Sequence, residues 1–400
     1  MSTYTDASLI FYPSGYKAGK TYSLKPTDGS GDLTFTRAST ATRVNESGLI
    51  EEVAANVPRL DNSQGGCSTL LLEPQRTNVV LQSENLDSGA WPKNNITSIN
   101  SDFATSPSGA TTADKINYGS GNGFIRTNIT LTAASSASIF VKYVDKPFIQ
   151  IMMSGDVNHY ANFDIQNGTI GSVGSASTAS IEDYGNGWYR IILNALTGTF
   201  NGTPRFYKID TLAKGWAQGG GVAGSFLMWG GQLELGSYAT SYIPTTTTAV
   251  TRVVDGLSVS SLFSKGIVGV NGSLFVDINT ANLNSLLFTM WNTLNQRSGV
   301  IRFTSASNTF FIGNLEGGSG STQISLGSLP PRAKLLFRKN GTTYTLFYNG
   351  VKASTDMTAP AQTWDKMQVE SGFSPNMTVN SVILFNSALS DTNAIALTTI

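Results

Sequence analysis

Few residues in this chain are of a type that does chemistry. It has one cysteine, Cys67, and one histidine, His159. A single thiol cannot close an internal disulfide, and a zinc site built of thiolates and imidazoles needs several such ligands. A Cys–His nucleophilic pair would have to join two residues far apart in sequence, in segments of different character. A serine triad would depend on His159, and no Gly-x-Ser-x-Gly elbow is present to hold a serine. His159 lies in Val157-Asn158-His159-Tyr160, which reads as a strand edge, and is taken as a structural histidine.

The carboxylates occur as Glu51-Glu52, Glu182-Asp183 and the alternating Gln232-Leu233-Glu234. Alternate residues of a strand share a face, so Gln232 and Glu234 point together. Hydrolysis of a glycosidic bond needs two carboxylates opposed across it. The Glu-x-Asp-x-x-Glu cluster typical of glycosidases on concanavalin-like sandwiches is missing, and Glu51-Glu52 reads as a turn cap. The sequence therefore predicts no catalytic residue and no enzyme. No metal site is predicted, although Asp156, Asn158 and Asp164 could offer oxygen ligands to calcium; no other cofactor is expected. Gly119-x-Gly121-x-Gly123 looks like a phosphate loop but lacks the following helix and lysine, so it reads as a hairpin.

Sugar binding asks for an aromatic platform with amide or carboxylate hydrogen bonds beside it. The candidates are Trp188 with Tyr189 and Asn186, Trp216 with Gln218, and Trp229 with Gln232. Trp229 sits in an apolar run and is expected in the core. Trp216 lies in a glycine-rich loop and is the best exposed platform. The predicted carbohydrate-binding set is Trp216, Gln218, Trp188 and Asn186.

These side chains must be positioned by β-structure. Glycine numbers 41 of 400 residues, and Asn-Gly recurs at Asn122, Asn167, Asn186, Asn201, Asn271, Asn340 and Asn349. Asn-Gly supplies the two positive-φ residues of a tight hairpin turn. Short β-prone runs lie between, such as Ala137–Val144, Trp188–Leu193, Ser225–Trp229 and Ser273–Ile278. Lys334–Ala353 reads as consecutive hairpins turning at Asn340-Gly341 and Asn349-Gly350, and Val379–Leu389 as a core strand. Only Leu49–Asn56 and Thr392–Leu397, the latter capped by Ser390-Asp391, read as helix. The predicted fold is all-β, with an opening segment over 1–80, a jelly-roll sandwich over 81–250 and a concanavalin-like sandwich over 251–400. Pro244 and the threonines at 245–248 read as the linker between the sandwiches.

Charge narrows the partners. Lys plus Arg and Asp plus Glu are 26 each, and charged residues are 13% of the chain, about half the usual share. That balance argues against nucleic-acid binding and against an electrostatic membrane anchor. No apolar stretch reaches the roughly 18 residues of a membrane span, and the first residues carry no targeting signal.

Three stretches resemble bacteriophage virion-surface proteins. Phe35–Asp61 continuing through Leu70–Leu86 is similar to the opening segment of phage fibre, spike and appendage proteins. Trp229–Arg252 resembles the closing strand of the jelly roll that follows there. Leu384–Ala394 is similar to the end of a laminin-G-type sandwich. The resemblance implies a structural protein of the phage particle, a fibre, spike or capsid decoration, made in the host cytoplasm. It implies other virion proteins as partners, docking through residues 1–80, and a homotrimer. Host attachment through glycans is the accompanying alternative, a glycan-binding adhesin, and polysaccharide depolymerisation a third.

Overall fold

The computed structural model describes residues 3–130, 133–196, 202–216, 220–280, 287–294, 297–302, 309–312, 322–325, 331–353, 356–358, 363–369 and 377–400. The chain is all-β and forms two compact units. One gathers residues 1–40, 53–75 and 253–400, and the other residues 41–52 and 76–252.

The second unit is a jelly-roll sandwich of two six-stranded antiparallel sheets. The first sheet runs Ile96–Thr105, Thr111–Tyr118, Gly224–Leu235, Ser135–Tyr143, Trp188–Ala195 and Ser177–Asp183. The second runs Thr169–Val173, Tyr160–Asp164, Phe148–Met153, Pro204–Lys208, Phe124–Arg126 and Lys93–Asn94. Ile116, Ile139, Ile191 and Met228 of the first meet Ile149, Ile151, Phe163 and Phe206 of the second in one core. The strand Ser135–Tyr143 is buried without a break from Ser135 to Val141. An unbroken buried run means cover on both faces. On its other face Phe140 packs with Val44, Ile50, Trp188, Trp229 and Tyr242.

Gly230-Gly231 interrupts the pairing of Gly224–Leu235 with Ser135–Tyr143, where the register slips between Ser138 and Phe140. Gly230 has φ +64°, and a Cβ on Gly231 would lie 2.4 Å from the Trp91 ring. This is a β-bulge of the kind that takes glycine at the left-handed position. It explains the Trp-Gly-Gly string: the bulge turns the strand and Trp91 fills the space beside it.

In the first unit the final strand Met377–Phe385 organises the rest. It pairs with Gly272–Thr280 along one edge. Along the other it takes two strands from the opening segment, with Leu9 opposite Leu384 and Leu70 opposite Val379. Leu33–Thr36 pairs with Gly256–Val259. Leu9, Phe11, Leu33, Phe35, Leu70 and Leu72 share one core with Leu274, Val276, Leu335, Phe337 and Leu384. The helix Asp391–Thr398, capped by Ser390 as predicted, helps to bury the opposite face, where Ala394 packs with Ile10, Phe275 and Phe385. Both predicted hairpins form, with Gly341 and Asn349-Gly350 at positive φ.

Three expectations change. Residues 1–80 are not set apart: most of them fold with 253–400, because the apolar residues of their short strands have their partners there. Leu49–Asn56 is not helical. Ala41–Val44 and Ile50–Val53 form a hairpin closed by the Asn45 side chain, which accepts from the Ser47 and Leu49 amides, and Arg43 pairs Glu51 across it. The threonine run is not a bare linker, because Thr245 is buried and bonded to Val80 and Ser83.

The first unit holds a buried ionic cluster. Arg37 and Arg59 both bind Asp255, and Arg59 also binds Glu73, all four side chains being fully shielded from solvent. Arg37 further donates to the Ser39 and Ala54 carbonyls, and Asp255 accepts from the Glu73 amide. Satisfying every charge with several partners is what makes such burial tolerable.

Candidate functional site

The jelly-roll unit contains a cleft of about 640 Å³. That is within the roughly 300–1,000 Å³ range of small-molecule sites. Its carboxylates are Glu52, Glu84, Asp87, Asp102 and Asp114; its amides and hydroxyls include Gln82, Asn85, Ser88, Ser101, Thr112 and Thr245. Among the described residues no lysine, arginine or histidine lines it, and Pro244 and Val250 are the apolar ones.

Asn78 anchors the loop that builds one wall. It ends the strand Arg76–Asn78 and is fully buried. Its Nδ2 donates to the Gly231 and Ile243 carbonyls, and its Oδ1 accepts from the Val80 and Leu233 amides. The chain then turns at Gln82, which has φ +54°. The Gln82 amide donates to Thr246 O at 2.7 Å, and Trp91 Nε1 donates to Gln82 O at 2.9 Å. Ser83 and Thr245 are joined through backbone and hydroxyl bonds. Loop and threonine run are thus held together as the two lips of the cleft.

Glu84 and Asp114 are the acids most fixed in place. The Tyr242 hydroxyl donates to Glu84 Oε1 at 3.1 Å and contacts Ser83 Oγ at 2.7 Å. Burial pushes the Glu84 carboxyl above the usual range, and burial together with the Glu84 charge pushes the Tyr242 hydroxyl well up. Asp114 is buried and accepts from the Leu86 amide at 2.8 Å and the Asp102 amide at 3.0 Å. Burial also raises the Asp114 carboxyl, and the charges of Asp102 and Asp87 add to the rise. The cleft therefore carries negative potential with two reluctant carboxylates inside it. It can receive hydroxyl and ammonium donors and repels anions.

The described members of the predicted carbohydrate set stand on different elements. Trp188 is buried, and its Nε1 donates to Thr105 O in the first sheet. Asn186 is exposed in the turn before it. Trp216 is half-buried against Met152, Tyr207 and Ile209 in the second sheet, with Nε1 on Met153 O. Gln218 lies outside the described residues. Gln232 and Glu234 do point together, but inward: Gln232 holds Ile243 and Ser241, and Glu234 holds Thr240. Trp229 is core, as expected. Asp164 closes its own turn on Gln166 and Asn167, and the Asp156 carboxylate meets the Asn158 amide and His159. Cys67 is exposed in the first unit and His159 buried in the second. Sequence reasoning missed the cleft because only Glu52 among its acids lies in an acidic pair.

No known family and no curated protein matches this sequence. Solved structures do. The CBM40 of Ruminococcus gnavus IT-sialidase bound to α2,3-sialyllactose is 17% identical, with 32% of this chain and 83% of that chain covered and a TM-score of 0.27. Caenorhabditis elegans galectin LEC-6 is 13% identical over 32% of this chain and 88% of that one, with a TM-score of 0.26. Trypanosoma rangeli sialidase is 9% identical over 71% of this chain and 60% of that one, with a TM-score of 0.28. The sialidases correct the expectation that this chain is no enzyme, since enzymes stand among its structural matches. At these TM-scores the likenesses assign it neither ligand nor reaction.

Proposed function

We propose that this chain binds glycans, and that the cleft of the jelly-roll unit is where it does so. The observation that supports this is the lining: amides, hydroxyls and carboxylates crowd a recess of sugar-sized volume, set in a wall whose remaining surface is apolar. A polyhydroxylated ring offers a donor to each such acceptor, whereas an apolar ligand would leave them unpaired. The absence of a cation among the described lining residues favours a neutral or amino sugar over a sialic or uronic acid. In the setting implied by the sequence resemblance, the chain is carried as a homotrimer on a bacteriophage particle and the glycan belongs to the host surface.

The raised carboxyl of Glu84 favours a second reading, in which the cleft also cleaves its glycan. Burial that makes a carboxyl hold its proton more tightly shifts it toward the general acid such hydrolysis needs. One experiment addresses both. The protein is titrated with neutral and amino-sugar oligosaccharides, and products are followed by mass spectrometry. Binding that is lost in Asp114→Asn supports the cleft. Product release that is lost in Glu84→Gln while binding persists supports hydrolysis. A protein that binds none of these oligosaccharides sinks the proposal.

A further inference from the structure

The first unit carries a surface of different character. The strands Leu9–Lys17 and Lys20–Lys25 form a hairpin turned by Ala18 and Gly19, at φ +50° and +74°. Between Ala7 and Thr27 the sequence holds Lys17, Lys20 and Lys25 and no carboxylate. Lys17 and Lys20 are directly opposed across the two strands. Like charges so placed are destabilising, and an alanine in the left-handed region adds strain.

Aromatic residues share that face. Lys20, Tyr22 and Leu24 alternate along their strand, so they point the same way. Thr21, between them, is buried and donates to Leu33 O on the inner side. Tyr22 is 40% exposed and Leu24 45%. Tyr12, 44% exposed, follows the core residue Phe11 and so leaves the strand on the outer side. Gly15 lies beside Tyr22, and its missing side chain keeps the ring's flank open: a Cβ there would stand 3.5 Å from it.

We infer that this hairpin face is a binding site for an acidic polysaccharide, one whose repeating sugars carry carboxylates. The tyrosine rings offer flat apolar surface to pyranose faces. The opposed ammonium groups of Lys17 and Lys20 become favourable only when an anion lies between them. Two opposed lysines in a chain of zero net charge do not make the broad basic stripe that nucleic acid requires. The inference stands apart from the cleft, which lies in the other unit and repels anions.

The test uses the whole protein in affinity electrophoresis through gels containing alginate or neutral dextran. Alginate should retard it and dextran should not, and salt should release it, since exposed charges are screened. The pair Tyr12→Ala with Tyr22→Ala, and separately Lys17→Gln with Lys20→Gln, should each weaken retardation about ten-fold. Lys17→Glu should abolish it while raising the unfolding midpoint, because it converts a repulsive cross-strand pair into an attractive one. Glu84→Gln, in the cleft, should leave it unchanged. The inference is overturned if alginate gives no retardation, if the hairpin variants are retarded as the parent is, or if duplex DNA or phosphatidylserine vesicles bind equally well through the same residues.

Discussion

Glu84 is the residue whose behaviour most directly reports the cleft. Its carboxyl is raised by burial, so its folded-state pKa exceeds its unfolded one. The sign follows: its contribution to stability is full below the unfolded pKa and is lost as pH rises through the folded one. Glu84→Gln keeps an acceptor for Tyr242 without the buried charge. As pH rises from the unfolded-state pKa through the raised folded one, the variant should therefore gain thermal stability relative to the parent, with the gap widening upward across that interval. A gap that narrows with rising pH would contradict the assignment. Asp114 shares the same cause, with the neighbouring Asp102 and Asp87 charges added. Little of this was legible in the sequence. Glu84, Asp87, Asp102 and Asp114 are scattered among polar neighbours, and what separates Glu84 and Asp114 from solvated acids is the fold's placement of Tyr242 and two backbone amides. The same holds for Arg37 and Arg59. In sequence they look like surface cations, yet both are enclosed beside Asp255.

Elements were more readable where the information is local. The Asn349-Gly350 turn and the Ser390 cap each need only adjacent residues, and each formed where expected, while the Asn340-Gly341 turn formed one residue on, at Gly341-Thr342. The segment Leu49–Asn56 failed because its helical look came from Ile50 and Val53, which are three apart and both buried. Ile50 is buried by the aromatic cluster around Phe140, and the turn at Asn45 sets the strand pairing. The bulge at Gly230-Gly231 is the element most sensitive to a single atom. Gly231→Ala would drive a methyl into Trp91, and overpacking of this kind costs about 1–3 kcal/mol. Urea unfolding should show a lowered midpoint with an unchanged slope. A midpoint equal to the parent's would mean that Trp91 moves aside freely.

At the scale of the molecule, the sequence revealed two sandwiches but not how they share the chain. Strand pairing between Leu9 and Leu384 leaves no trace in either segment, because each reads only as a short apolar run. Residues 253–400 expressed alone would lack the strands Leu9–Lys17, Leu33–Thr36 and Thr69–Leu72 and would expose unpaired edges. They should give no cooperative thermal transition by circular dichroism. A sharp transition from that fragment would mean that the opening strands are accessory. The same pairing has a consequence for birth on the ribosome. The jelly roll is finished once residue 252 has emerged, whereas Leu9 must wait until Leu384 has been made. At roughly 5–20 residues per second that wait is roughly 20 to 75 s, during which the leading strands hang without a mate and depend on their lysines and tyrosines to stay out of other embraces.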